Sequence, residues 1–166
     1  LVNTRPVLNI MCPVSLGTSQ PLHTASMKSK GKTAGDRPSK LWLLLIGVNH
    51  YQDPHLPNLQ YSAIDCQGLG EALEAATVAF TSKQAKSHHD STDAKPTLAT
   101  VQASLAQMVI QAQSQDTIMF YFSGHGFQDT EHQQAVLCLP DTQKNNLLAT
   151  GLGLQALLDA LGKCKA

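Results

Sequence analysis

The sequence carries no charge excess of either sign: Lys+Arg 12 and Asp+Glu 12 cancel to a net charge of zero. Charged residues make up 14% of the chain, below the ~25% usual for globular proteins. That balance excludes the basic footprint of a nucleic-acid binder and the Lys/Arg-rich polar face of a membrane-surface helix. Neither nucleic acid nor a membrane is an expected partner. No CxxC pair exists; the cysteines, Cys12, Cys66, Cys138 and Cys164, are widely scattered. A structural zinc site or a disulfide framework is therefore not expected, no metal ligand set is assigned, and such thiols fit a reducing cytoplasm. Long hydrophobic runs are also missing. The longest, Leu41 to Val48, falls far short of the ~20 residues that span a bilayer. The first 26 residues lack a charged segment followed by a sustained apolar stretch, so no signal peptide is read. What is present is 166 residues with 42% hydrophobic content. That suffices for one domain, burying roughly 70% of the surface its unfolded chain exposes, and is too short for two.

Residues 1–40 read as a disordered or loosely ordered leader: prolines recur at Pro6, Pro13, Pro21 and Pro38, Lys28 to Lys32 is basic and small, and no apolar period persists. The first residue is Leu1 rather than Met, which reads as a fragment, an unusual start codon or a processed product, with Met27 as an alternative start. From residue 41 to 166 the texture is that of a folded domain. The apolar run at Leu41–Val48 suits a parallel strand buried on both faces. Leu69, Leu73, Ala76 and Phe80 lie on one face of a helix over about 63–79, with Asp65 in its first turn. Residues 81–95 are polar and read as a surface loop, after a short strand at 77–81. Thr97 follows Pro96 as an N-cap of a helix to about Gln113, with Leu98, Val101, Leu105, Met108 and Ala112 inward. Thr117–Phe122 is a second buried strand, Ala135–Leu139 a short one closed by Pro140-Asp141, and Leu152 to Cys164 a helix with Leu154, Leu157, Leu158 and Leu161 inward. This order predicts an α/β fold with a mainly parallel central sheet flanked by helices.

The chemistry concentrates at Phe122-Ser123-Gly124-His125-Gly126. A buried strand ends and a histidine follows at once between glycines. Sites in open α/β sheets form at the carboxyl ends of strands, glycines there allow close approach of a substrate, and a histidine so placed serves as general base or acid. The alternative is a plain loop histidine with turn glycines. His88-His89-Asp90 could hold a metal but reads as a solvated loop; His50 and His55 follow the first strand. Gly68-Leu69-Gly70 lies inside a helical pattern and is no phosphate loop.

The Phe-Ser-Gly-His-Gly segment resembles the histidine motif of caspase-like cysteine peptidases, in particular the metacaspase and bacterial orthocaspase branch. The resemblance covers residues 41–166. It includes Leu45-Ile46-Gly47-Val48-Asn49-His50-Tyr51, similar to the family's first strand and its Gly-x-Asn-x-Tyr end. It also includes the loop from Leu56 to Asp65, the Pro96-Thr97 helix start and the strand and turn from Asp116 to Gly126. It implies a caspase-like, Rossmann-like sheet, with His125 as the catalytic histidine and the Gly126 N–H as an oxyanion-hole donor. It further implies Asp65 and Ser123 in the primary specificity pocket, and hence a polypeptide substrate with Arg or Lys before the cut. A bland reading of Asp65 as a helix-end carboxylate stands beside this one. Ser62 occupies a position where some relatives have Cys.

The nucleophile departs from the pattern. The family's cysteine lies ~50 residues after the histidine, past Ala166, so the fold is expected to be truncated before the nucleophile strand and this chain alone to be inactive. Cys164 and Cys138 lack the neighbours of the family's Asp-x-Cys-x-Ser-Gly segment. Cys66, in the first turn of a helix where the dipole could lower its pKa, is the least poor substitute; the plainer reading makes all three small hydrophobes. The resemblance implies no cofactor, with calcium activation a property of some relatives in a full-length protein. Two other readings remain: a fragment of an α/β-hydrolase, although no Gly-x-Ser-x-Gly elbow is present, and a non-catalytic caspase-like interaction module.

Overall fold

The computed structural model describes residues 39–76, 80–129 and 131–165; residues 1–38 of the expected leader at 1–40 and part of the expected strand at 77–81 lie outside the described residues. Strand β1 (Lys40–Gly47) leads to helix α1 (Ser62–Ala76), strand β2 (Ser82–His89), helix α2 (Leu98–Gln111) and strand β3 (Thr117–Ser123). These strands form a parallel sheet in the order β2-β1-β3. A second small sheet, β4 (Gly126–Asp129), β5 (Gln134–Leu137) and β6 (Leu152–Gly153), is antiparallel. The short helix α3 (Leu147–Thr150) and helix α4 (Leu154–Gly162) complete the order. The architecture is the α/β, mainly parallel, helix-flanked one that the alternation of elements predicts.

β1 is apolar from Leu41 onward because both of its faces are covered there. Side chains alternate across a strand. Trp42, Leu44, Ile46 and Val48 therefore join Val101, Leu105 and Met108 of α2, Phe120 and Phe122 of β3, and Leu157 and Leu161 of α4. On the other face Leu41, Leu43 and Leu45 meet Cys66, Leu69 and Leu73 of α1, together with Phe80, Met119 and Tyr121. Thr97 caps α2 as expected: its Oγ1 accepts from the Thr100 N–H at 3.3 Å. Asp116 ties the start of the sheet together, accepting from the Lys40 N–H at 3.0 Å, Trp42 Nε1 at 2.9 Å and the Gln113 N–H at 3.0 Å. Burial alone would raise its carboxyl, but these donors outweigh burial and hold it below the usual carboxylate range.

Several local expectations are corrected. Residues 82–89 are strand, not loop. β2 is an edge strand in which only His88 is buried, and its Ser-Lys-Gln-Ala-Lys-Ser sequence shows no apolar alternation. Leu158 is exposed rather than inward, and Ala76 is exposed at the end of α1. Residues 134–137 pair with a strand that sequence reading did not anticipate, Gly126–Asp129, rather than with the main sheet. His88 is buried, not solvated. Its Nδ1 lies 3.1 Å from Ala94 O and its Nε2 2.8 Å from Ser104 Oγ. A carbonyl can only accept, so Nδ1 carries the proton and Nε2 accepts from Ser104.

Burial holds the His88 imidazole below its ordinary range, with the charges of Lys86 and His89 adding to the effect. The unfolded chain then binds a proton that the folded one resists. Stability is therefore full above the ordinary imidazole pKa of ~6.5 and declines as pH falls below it. Urea unfolding midpoints should drop between about pH 7 and about pH 5, and His88→Gln should flatten that slope. An unchanged slope in the variant would assign the acid sensitivity to other groups.

Candidate active site

The carboxyl ends of β1 and β3 are locked in register. Gly47 faces Ser123, and the Val48 N–H donates to Ser123 O at 2.9 Å. Gly47 must be glycine: a Cβ there would lie 2.4 Å from Ser62 O and 2.8 Å from Cys66 Cβ, inside the first turn of α1. Buried Asn49 then folds the following loop back on itself. Its Oδ1 accepts from the Ala63 N–H at 3.3 Å, its Nδ2 donates to Gln60 O at 3.4 Å, and its carbonyl accepts from the Leu59 N–H at 2.8 Å. Asp90, just past β2, accepts from the Asn49 N–H at 2.6 Å. The Tyr51 N–H donates to Asn58 Oδ1 at 3.1 Å. Nearby, the N–H groups of Lys144 (2.7 Å) and His55 (2.8 Å) hold the Asp53 carboxyl below the usual range. The outcome is a loop pinned at both ends that carries the Pro57 carbonyl over to His125.

His125 follows β3 after one residue and is half-buried. Its main chain is held from two sides: the N–H donates to Tyr51 Oη at 2.8 Å, and the carbonyl accepts from the Cys138 N–H at 2.8 Å. Its ring packs beside Tyr51, with centroids 5.0 Å apart, and beside Phe127 at 6.2 Å. Nε2 lies 2.7 Å from Pro57 O. The carbonyl has no proton to give, so Nε2 is the protonated nitrogen. Nδ1 keeps its lone pair and has no hydrogen-bond partner among the described residues. A neutral imidazole of this tautomer is a base with a fixed direction.

Gly126 begins β4 opposite Leu137. One step earlier, the Cys138 N–H bonds to His125 O, which makes that position a hydrogen-bonded one. Such positions alternate along an antiparallel ladder, so the Gly126 N–H points away from β5 and is not spent on it. Ser123 is fully buried, and its Oγ has no partner at hydrogen-bond distance. It lies on the α1 side of β3 with Tyr121. Asp65 is exposed on the first turn of α1. Burial pushes the Tyr121 phenol up, and the Asp65 charge adds to it. The first turn of α1 packs on Gly47, so Asp65 and Ser123 lie at the same end of the sheet as His125.

The cysteines do not join this cluster as nucleophiles. Cys66 is buried with Sγ 3.4 Å from Ser87 Oγ, and burial pushes its thiol up. The expected helix-dipole activation is overridden by desolvation. Cys138 is buried too, its thiol pushed up to about 12 by desolvation. Cys164 sits beside Val109 O at 3.8 Å, near the C-terminal turn of α2 and the opposite end of β3 from His125. Cys12 lies outside the described residues.

The model of the caspase domain matches residues 40–161, from the first residue of β1 into α4. The chain belongs to the caspase-domain family. Membership implies a cysteine-peptidase domain acting on polypeptide and displaces the α/β-hydrolase reading. A comparison with curated proteins found no match. Among the described residues no helix is long and apolar enough to cross a membrane. For a caspase domain, sequence reading finds His125 through its flanking glycines and the strand before it. It misses Pro57, because a backbone carbonyl leaves no side-chain signature, and it registers Asn49 and Tyr51 only as letters of a motif.

Buried thiols held protonated react slowly. Iodoacetamide at neutral pH should therefore leave Cys66 and Cys138 unmodified in the folded protein and modify both after unfolding, as mapped by peptide mass. Fast stoichiometric labelling of either in the native state would make it a candidate nucleophile after all.

Proposed function

We propose that this caspase domain supplies the general base, an oxyanion donor and part of the specificity pocket of a cysteine endopeptidase that cleaves after Arg or Lys. In this reading the chain is the amino-terminal part of the catalytic domain of a metacaspase- or orthocaspase-like enzyme of the reducing cytoplasm. The nucleophile stands on a further strand beside β3. The observation that carries the reading is the orientation of His125: Nε2 is committed to Pro57 O, which leaves Nδ1 as the ring's basic position, at the carboxyl end of a strand that among the described residues pairs only with β1.

The chemistry follows from that orientation. Nδ1 takes the proton of the incoming thiol, and the thiolate sulfur bonds to the substrate carbonyl carbon. The developing oxyanion accepts from the Gly126 N–H. The C–N bond breaks as Nδ1–H gives its proton to the leaving amine, and water then hydrolyses the thioester. No step calls on a cofactor. The Asp65 carboxylate faces the guanidinium or ammonium of the residue before the cut, with Ser123 on the wall behind it.

The sheet edges support a strand beside β3. β2 is the other edge and carries Lys83 and the exposed Lys86, the usual defence against further pairing. β3 carries no charge at all, and its last four residues are buried. Among the described residues it pairs only with β1. A second reading, a non-catalytic caspase-like module, is favoured by one observation: the buried thiols Cys66 and Cys138 are held protonated.

The chain as it stands should not turn over a fluorogenic Arg-ended peptide. Its extension by the natural continuation should both turn it over and react stoichiometrically with an Arg-based chloromethyl ketone. An extended chain that neither cleaves nor is labelled would select the non-catalytic module. In the extended enzyme Asp65→Asn should lower kcat/KM after Arg by about tenfold or more. Equal values would reduce Asp65 to a helix-end charge.

A further inference from the structure

Tyr51 is bound up with the His125 turn more closely than its place in a surface loop requires. In a hydrogen-bonded antiparallel pair, the two facing residues exchange both N–H···O bonds. At His125 and Cys138 only half of that exchange is made. The Cys138 N–H reaches His125 O at 2.8 Å, but the His125 N–H turns to Tyr51 Oη at 2.8 Å. The same hydroxyl donates to Val48 O at 3.4 Å, so a single oxygen joins the end of β1 to the first residue of the histidine turn. The aromatic ring lies beside the imidazole, with centroids 5.0 Å apart.

The space for this contact is made by Gly124. A Cβ at residue 124 would come within 3.0 Å of Tyr51 Oη and 2.7 Å of Phe122 Cζ. Burial holds the Tyr51 phenol well above its ordinary range. The oxygen therefore keeps its proton at neutral pH, and can donate to Val48 while accepting from His125.

We propose that Tyr51 is a positioning residue for His125. Its hydroxyl draws the His125 main chain out of the β5 ladder, and its ring sets the plane in which Nε2 meets Pro57 O. The catalytic meaning of this role rests on the peptidase reading above; the coupling itself does not.

The test is nitrogen-15 NMR of the His125 ring, together with hydrogen exchange at its amide, in the full chain. In the unaltered protein the ring should show one tautomer, protonated at Nε2, and the His125 amide should be protected. Tyr51→Phe keeps the ring and removes only the hydroxyl. It should speed exchange at the His125 amide by about fivefold or more and turn the single tautomer into a mixture. A merely structural tyrosine would lower stability and leave the tautomer single, and that result would overturn the proposal. Should Tyr51→Phe fail to fold, the unaltered protein still decides: a His125 amide exchanging like an unprotected loop amide would be enough to reject the role. None of these readings needs peptide cleavage. An extended chain that shows the coupling yet never cleaves would therefore sink the peptidase reading and leave the positioning role standing.

Discussion

The parallel register between β1 and β3 is the constraint on which the site depends. Pairing Gly47 with Ser123 and sending the Val48 N–H to Ser123 O brings two strands to an end at the same level. The chain leaving β1 and the chain leaving β3 then have no choice but to meet. The first folds over through Asn49 and presents the Pro57 carbonyl; the second turns through Gly124 and presents the His125 ring. The distance between Nε2 and Pro57 O is thus set by backbone pairing established many residues earlier. Parallel pairing serves this purpose because it puts all carboxyl ends on one side, where the helices' covering of both faces leaves the loops free.

The strand–helix core was legible because burial on both faces writes itself as an unbroken apolar run. Leu41 to Val48 and Thr117 to Phe122 could hardly be read otherwise, and Pro96-Thr97 announced α2 by a capping rule with a direct geometric meaning. β2 escaped for the converse reason. An edge strand with a single buried residue has no apolar period, so Lys83, Gln84 and Lys86 read as loop. β4 and β5 escaped because strands of this length hold too few residues to show alternation. In the site, His125 and Gly126 were visible as a glycine-flanked histidine after a strand. The role of Pro57 was not, since any residue type supplies a carbonyl. The behaviour of Cys66 was misjudged because position on a helix was visible and depth was not: packing against Gly47 desolvates the thiol more than the helix end favours its ionisation.

Glycine has two different uses around this site. Gly47 is demanded by helix packing, since α1 presses its first turn against the strand end, and Gly124 by the approach of a tyrosine hydroxyl. Neither has a left-handed backbone: among the described residues the only positive φ outside glycine is at Gln133, and no glycine shows one. Gly47 and Gly124 are thus about volume rather than conformational freedom. A substitution to alanine at either would push a helix or a side chain out of place instead of straining the main chain.

The unlike edges of the main sheet have a consequence for how such a domain can be put together. One border carries Lys83 and Lys86; the other is uncharged, ends in buried aromatic side chains and, among the described residues, pairs only with β1. The sheet therefore has a polarity of growth, like a filament capped at one end. Any strand that joins it, whatever chain supplies it, is directed to the border that ends at His125. Under the peptidase reading proposed above, gain of the next strand and assembly of the catalytic centre are one event, and the His125 ring is already oriented by Pro57 O before that strand arrives.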